Sequence, residues 1–186
     1  MPLTKIQSLG ITDGTIVNAD INASAAIAGT KLTGVGKVLQ VVSTTKTDTF
    51  ATNPNSTFID VTGLSVSITP SSASNKILIQ FSISGGGTIA TNIAHFRLVR
   101  DSTAICLGDA ASNRTRGFAN AIDSDANAQE HVSGLFLDSP NTTSSTTYKI
   151  QTFSNDTVYV NRSANDSDFS TRGRTASTIT VMEIAG

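Results

Sequence analysis

Two acidic clusters carry the spacing most suggestive of chemistry. Asp123-Ser124-Asp125-Ala126-Asn127 sets oxygen ligands at alternate positions, as the opening of a calcium loop does when carboxylates converge on a hard cation. The match ends there: Ala128 stands where the turn glycine belongs, and Gly134 where the bidentate glutamate belongs. Asn165-Asp166-Ser167-Asp168 repeats the alternation and is equally incomplete. Both clusters read as solvated acidic loops, and neither a metal nor any other cofactor is assigned.

Catalytic groupings fare no better. The chain has two histidines, His95 and His131, and no Gly-x-Ser-x-Gly elbow to present an activated serine to either. In IAHFRLVR, Phe96 and Leu98 take one face of a strand, which leaves His95 and Arg97 on the other. Glycan-cleaving proteins need two carboxylates at a set separation, and Glu130, Asp138 and Glu183 are available without any spacing that pairs them. Gly85-Gly86-Gly87 lacks the lysine and helix that would make it a phosphate cradle. Cys106, the single cysteine, rules out an intrachain disulfide and reads as a small buried hydrophobe between Ile105 and Leu107. The chain is therefore expected not to be an enzyme. Arginines gather at Arg114 and Arg116, and again at Arg162, Arg172 and Arg174. Their guanidinium forks suit glycan carboxylates or phosphates, but pairing with nearby aspartates within or between subunits is the favoured reading.

Bulk composition narrows the partners. Thirteen lysines and arginines against fourteen aspartates and glutamates give a formal net charge of −1, with the cations scattered, so the basic stripe of a nucleic-acid binder is missing. The N-terminal MPLTKIQSLG has no continuous apolar core, no stretch approaches a membrane span, and synthesis in a cytoplasm without a signal peptide is expected. In that setting the seven Asn-x-Ser/Thr sequons are the chance yield of a chain in which roughly a quarter of residues are Ser or Thr.

The elements that must position these residues are strands. KILIQFSIS places Ile77, Ile79, Phe81 and Ile83 on one face and polar residues on the other. KVLQVVS is apolar on both sides, as a strand covered on two faces would be. FIDVTGLSVSIT alternates, resets at Gly63 as at a bulge, and resumes. Further strands are expected at 93–100, 103–107, 132–138, 147–153, 158–162 and 177–184. Eight or nine short strands with no convincing helix predict an antiparallel β-sandwich of jelly-roll kind, with 108–129 as a long surface connection.

Residues 1–34 follow a different rule. Ile6, Ile11, Ile16, Ile21, Ile27 and Leu32 recur at steps of five or six in a small, polar background, matching neither the helical step near 3.6 nor the strand step of two. One copy cannot bury this ladder; copies wound about a shared axis, or a groove in another protein, can. The chain thus divides into an extended attachment and trimerisation segment, 1–34, and an all-β jelly-roll head, 35–186.

The leader ITDGTIVNADINASAAIAGTKL resembles a segment that recurs in fibre-like structural proteins of tailed bacteriophages, especially those of marine cyanobacteria and other marine bacteria. VTGLSVSITPSSASNKILI, FRLVRDST, GDAASNRTRGF, FLDSPNTTSSTTYKI, VYVNRSANDSD and RTASTITVMEI are similar to the head found with it. The resemblance implies a homotrimer in the virion that docks on other virion proteins through its N-terminus, and it supplies no catalytic motif. Because the leader begins almost at residue 1, a short fibre, head fibre or small appendage subunit is expected rather than a long tail fibre. Receptor contacts, with a host-surface glycan as partner, are expected in loops 108–129 and 163–175, at Asn113, Arg114, Arg116, Asp123, Asp125, Asn165, Asp166 and Asp168. The rivals are a capsid decoration protein and a small glycan depolymerase.

Overall fold

The computed structural model describes residues 37–87, 93–122 and 125–186; the ladder residues Ile6 to Leu32 and Asp123 lie outside them. The described residues form eleven antiparallel strands. Eight make the sandwich: β1 (Val38–Lys46), β3 (Ile59–Ile68), β4 (Lys76–Gly87), β5 (Ile93–Arg100), β7 (Ala119–Ile122), β8 (Glu130–Asp138), β9 (Thr146–Phe153) and β11 (Ser177–Ile184). Three short ones fill edges: β2 (Phe50–Thr52), β6 (Thr103–Ile105) and β10 (Val158–Val160).

One sheet runs β1-β11-β4-β8, with β10 and then β2 continuing beyond β11 along β4; the other runs β3-β9-β5-β7, with β6 beside β7 on the same edge of β5. Counting the eight main strands in chain order, the sheets read 1-8-3-6 and 2-7-4-5, which is jelly-roll connectivity. The expected sandwich is therefore the observed one.

Alternation built it. Ile77, Ile79, Phe81 and Ile83 of β4 are buried, as are Ile179 and Val181 of β11, and they meet Leu64, Val66, Phe96, Leu98, Tyr148 and Ile150 from the facing sheet. Each such side chain contributes roughly 1.5–3 kcal/mol on burial, which is why the period of two dictates the fold. Gly63 does reset its strand: its φ of 89° is open to glycine, and the β3–β9 register slips between Asp60 and Ser65. Gly134 has a different reason, since a Cβ there would lie 2.4 Å from Phe81 Cζ.

Two expectations need correction. The stretch 108–129 is not one connection, because β7 interrupts it and pairs Phe96 with Ala119 through Ile93 with Ile122. Its inward side chains, Ala119 and Ala121, are too small to show as a strand pattern. Within a single head β1 is not covered on two faces either. It is an edge strand, and Val38, Leu39 and Val41 are all exposed.

Candidate functional site

The registers give the sandwich two ends. Val38 pairs with Ile184, and Ile77 with Asp138, at the end where the chain arrives from residue 37. Gly85 pairs with Glu130 and Val160, and Ile93 with Ile122, at the other. Both the β7–β8 and the β10–β11 connections leave from that second, distal end.

Asn161 roots the β10–β11 loop. It is fully buried and left-handed at φ 63°, a conformation asparagine tolerates better than most side chains. Its amide donates to the carbonyls of Lys46 (2.8 Å) and Asp48 (2.9 Å), and its Oδ1 accepts from Ser177 Oγ at 2.6 Å. Ser177 Oγ in turn accepts from the Ser84 amide, tying the loop to β4 and β11. The sequence offered Asn161 only as a chance sequon inside the strand expected at 158–162, which the structure ends at Val160.

The two distal loops are joined. Gln129 donates to Gly173 O at 3.0 Å, while its Oε1 accepts from Thr175 Oγ1 (2.8 Å) and Ser84 Oγ (3.2 Å). Farther out, the Asn165 amide donates to Ala126 O at 2.7 Å, and Asn165 Nδ2 to Asn127 Oδ1 at 3.0 Å. Asp125 accepts from both nitrogens of Asn127, an Asx turn that occupies the carboxylate with its own loop. Among the described residues no three His, Cys, Asp or Glu side chains gather as metal ligands.

Asp166 is held by two arginines. Arg174 contacts one carboxylate oxygen and Arg162 lies 3.4 Å from the other. The hydrogen bond from Arg174 keeps the Asp166 carboxyl below its ordinary range against the opposing effect of desolvation. Arg162 also stacks on Tyr159, 4.4 Å from the ring centre. These arginines thus pair within the chain. What the loop shows to solvent is Asn165, Ser167, Asp168 and, beside them, Phe169, 69% exposed. Sequence reasoning passed over Phe169, although a lone aromatic in an Asp/Ser stretch has no strand face to bury it.

Asp125, Asn165, Asp166 and Asp168 are therefore brought to one end. Asn113, Arg114 and Arg116 are not with them. They belong to the β6–β7 loop, which folds against the middle of β5 through Phe118 N to Phe96 O and lines an open polar recess of about 230 Å³. Arg116 Nε donates there to Gly108 O at 2.7 Å.

The other reactive groups are dispersed. His131 meets Ser82 Oγ at 3.3 Å on an exposed strand face, and among the described residues no carboxylate is hydrogen-bonded to it. His95 is half-buried and edge-on to Phe153, and burial pushes its pKa down despite a hydrogen bond with Asn120. Glu130 and Asp138 sit at opposite ends of β8. Asp138 and Glu183 flank Ile77, but both are buried and occupied: Asp138 by Arg100 (2.9 Å) and Tyr148 (2.7 Å), Glu183 by Gln40, Ser71 and Asn75.

No protein-family model matches the chain, and no curated protein matches its sequence. Among solved structures it is similar to a chain in the structure of infectious bursal disease virus, Gx strain, at a TM-score of 0.41 and 9% identity. That match covers 80% of this chain and 40% of the other.

Proposed function

We propose that the protein is a structural component of a tailed-phage virion, a short trimeric fibre or appendage subunit anchored by residues 1–34. In this reading the jelly-roll head binds a host-surface glycan without cleaving it. One observation carries the reading: the head's first described residues, Lys37 and Val38, lie at one end, while the joined loops 125–129 and 161–176 present polar groups and Phe169 at the other. An anchored molecule needs this polarity. The amides, hydroxyls and carboxylates of Asn165, Ser167 and Asp168 suit sugar hydroxyls, and an exposed ring suits the apolar face of a sugar. Three weakly binding heads fixed on one stalk act together, because attachment sets a high effective concentration for the second and third contacts.

The test has two arms. Antibody to the head should label intact particles at an appendage, and purified protein should bind host cells, with Phe169→Ala and Asn165→Ala reducing binding while leaving the urea midpoint unchanged. Label spread over the capsid face would make it a decoration protein instead. Release of shortened oligosaccharide from host polysaccharide would make it a depolymerase.

A further inference from the structure

The outer face of the β1-β11-β4-β8 sheet carries an apolar row that nothing in one copy of the head covers. Val41 stands opposite Met182, Met182 opposite Leu78, and Leu78 opposite Leu137, one residue from each of four strands. With strands about 4.8 Å apart the row is about 14 Å long. Val41 is 57% exposed, Leu137 53%, and Leu135, beside the row, 63%. The row holds no charge, and the positions adjoining it toward the distal end, Ser43, Thr180 and Gln80, are neutral as well; on its other side stands Lys76, whose ammonium donates to Ser139 Oγ at 2.7 Å. The opposite sheet differs: its outer face carries the Lys149–Asp60 ion pair and Arg97, bound to Gln151 and stacked on Phe58. Gathering three copies of this face about a shared axis buries the row and leaves Lys76 at its margin, whereas the opposite face would bury an ion pair and Arg97 at its centre. A shallow recess of about 630 Å³ between β4 and β8, lined by Ser82, His131, Ser133 and Leu135, adjoins the row. The same surface therefore offers both relief and hollow, which a symmetric assembly can match to each other.

We propose that this face is where the head meets a second copy of the chain. Chain continuity selects the occupant. The 36 residues that precede Lys37 carry six ladder positions that one copy cannot bury, and they run directly into β1, the strand that begins the row. Copies gathered by their leaders start their heads side by side at β1. The sequence of β1 is apolar on both sides because the sandwich covers its inner face and a neighbouring head covers its outer one. The inference rests on the trimeric reading above and names the surface that reading needs.

The test uses the full-length protein in sedimentation velocity at micromolar concentration. The double variant Val41→Asp/Leu137→Asp loads the face with charge at two exposed positions, so the head still folds and keeps a cooperative urea transition, while losing the stabilisation that association supplies. Ser65→Glu does the same to the opposite sheet. Wild type and S65E are expected to sediment as trimers, and V41D/L137D as a monomer or with association weakened about tenfold or more. A double variant that sediments with the wild type overturns the proposal. So does a monomeric wild type, and so does a monomer whose Leu135 and Leu137 resist hydroxyl-radical labelling, which would give the face to the chain's own leader. None of these results alters where antibody labels the particle, so a failure here is distinct from a failure of the virion reading.

Discussion

Glu183 is a carboxylate that the fold has buried and then surrounded. It is 1% exposed, and its Oε1 accepts from the Ser71 amide (2.7 Å), Ser71 Oγ (2.8 Å) and Asn75 Nδ2 (2.5 Å), while Oε2 accepts from Gln40 Nε2 at 2.6 Å. Burial alone would raise its pKa, but the donors of Asn75, Gln40 and Ser71 outweigh it and lower the pKa from 4.5 to about 2. A folded-state pKa below the unfolded one means stability that is fully present above the unfolded value and is lost as pH falls from about 5.5 toward 2. The full difference corresponds to about 3 kcal/mol; the site lies at an end of the sandwich with solvent close by, and screening brings the expected contribution to about 2 kcal/mol. Glu183→Gln removes this pH dependence. Its amide can keep the three donors on one oxygen but turns an NH2 toward Gln40, whose own amide is held by Thr69 O at 2.8 Å. The expected cost at pH 7 is about 1–3 kcal/mol, read as a lower urea midpoint. At pH 3 the gap between wild type and variant should narrow. Equal stability at pH 7, or a gap that widens in acid, would refute the assignment.

Three further outcomes follow from the same geometry. Gly134→Ala pushes a methyl into the Phe81 ring and should cost about 1–3 kcal/mol in urea unfolding, although the position reads as an innocuous strand glycine. Asn161→Ala removes two donors to backbone carbonyls and the acceptor of Ser177 Oγ; amide hydrogen exchange should quicken through 162–176 while the core strands β4 and β9 stay protected. Ile16→Asp with Ile21→Asp should abolish assembly seen by sedimentation and leave the head folded, with a cooperative unfolding transition, if the ladder is buried between copies.

The head's architecture was legible wherever a strand buries one face. Ile77 to Ile83, Val66 with Ile68, and Ile179 with Val181 each alternate strictly, because burial of every second side chain is the force that selects the strand. β7 was not legible. Its inward residues are alanines, and it is a strand only because β5 offers it an edge. β2, three residues long, likewise exists through its neighbour, whereas β10 was expected from the pattern at 158–162 and is the shorter Val158–Val160. The candidate site divided the same way. Acidic and amide-rich loops announced themselves by composition, whereas their joining through Gln129, Asn127 and Asn165 joins residues 38 to 46 positions apart.

The sequence by itself determined the class of fold, because that follows from the period at which apolar residues recur. Only the tertiary structure decided which side chains share an end. It put Asp125 with Asn165 and Asp166, sent Asn113, Arg114 and Arg116 to a different loop, and turned the outer face of β1 to solvent. Strand order is set by long-range pairing, in which residues distant along the chain compete for the same edges, and no local pattern in the sequence carries that information.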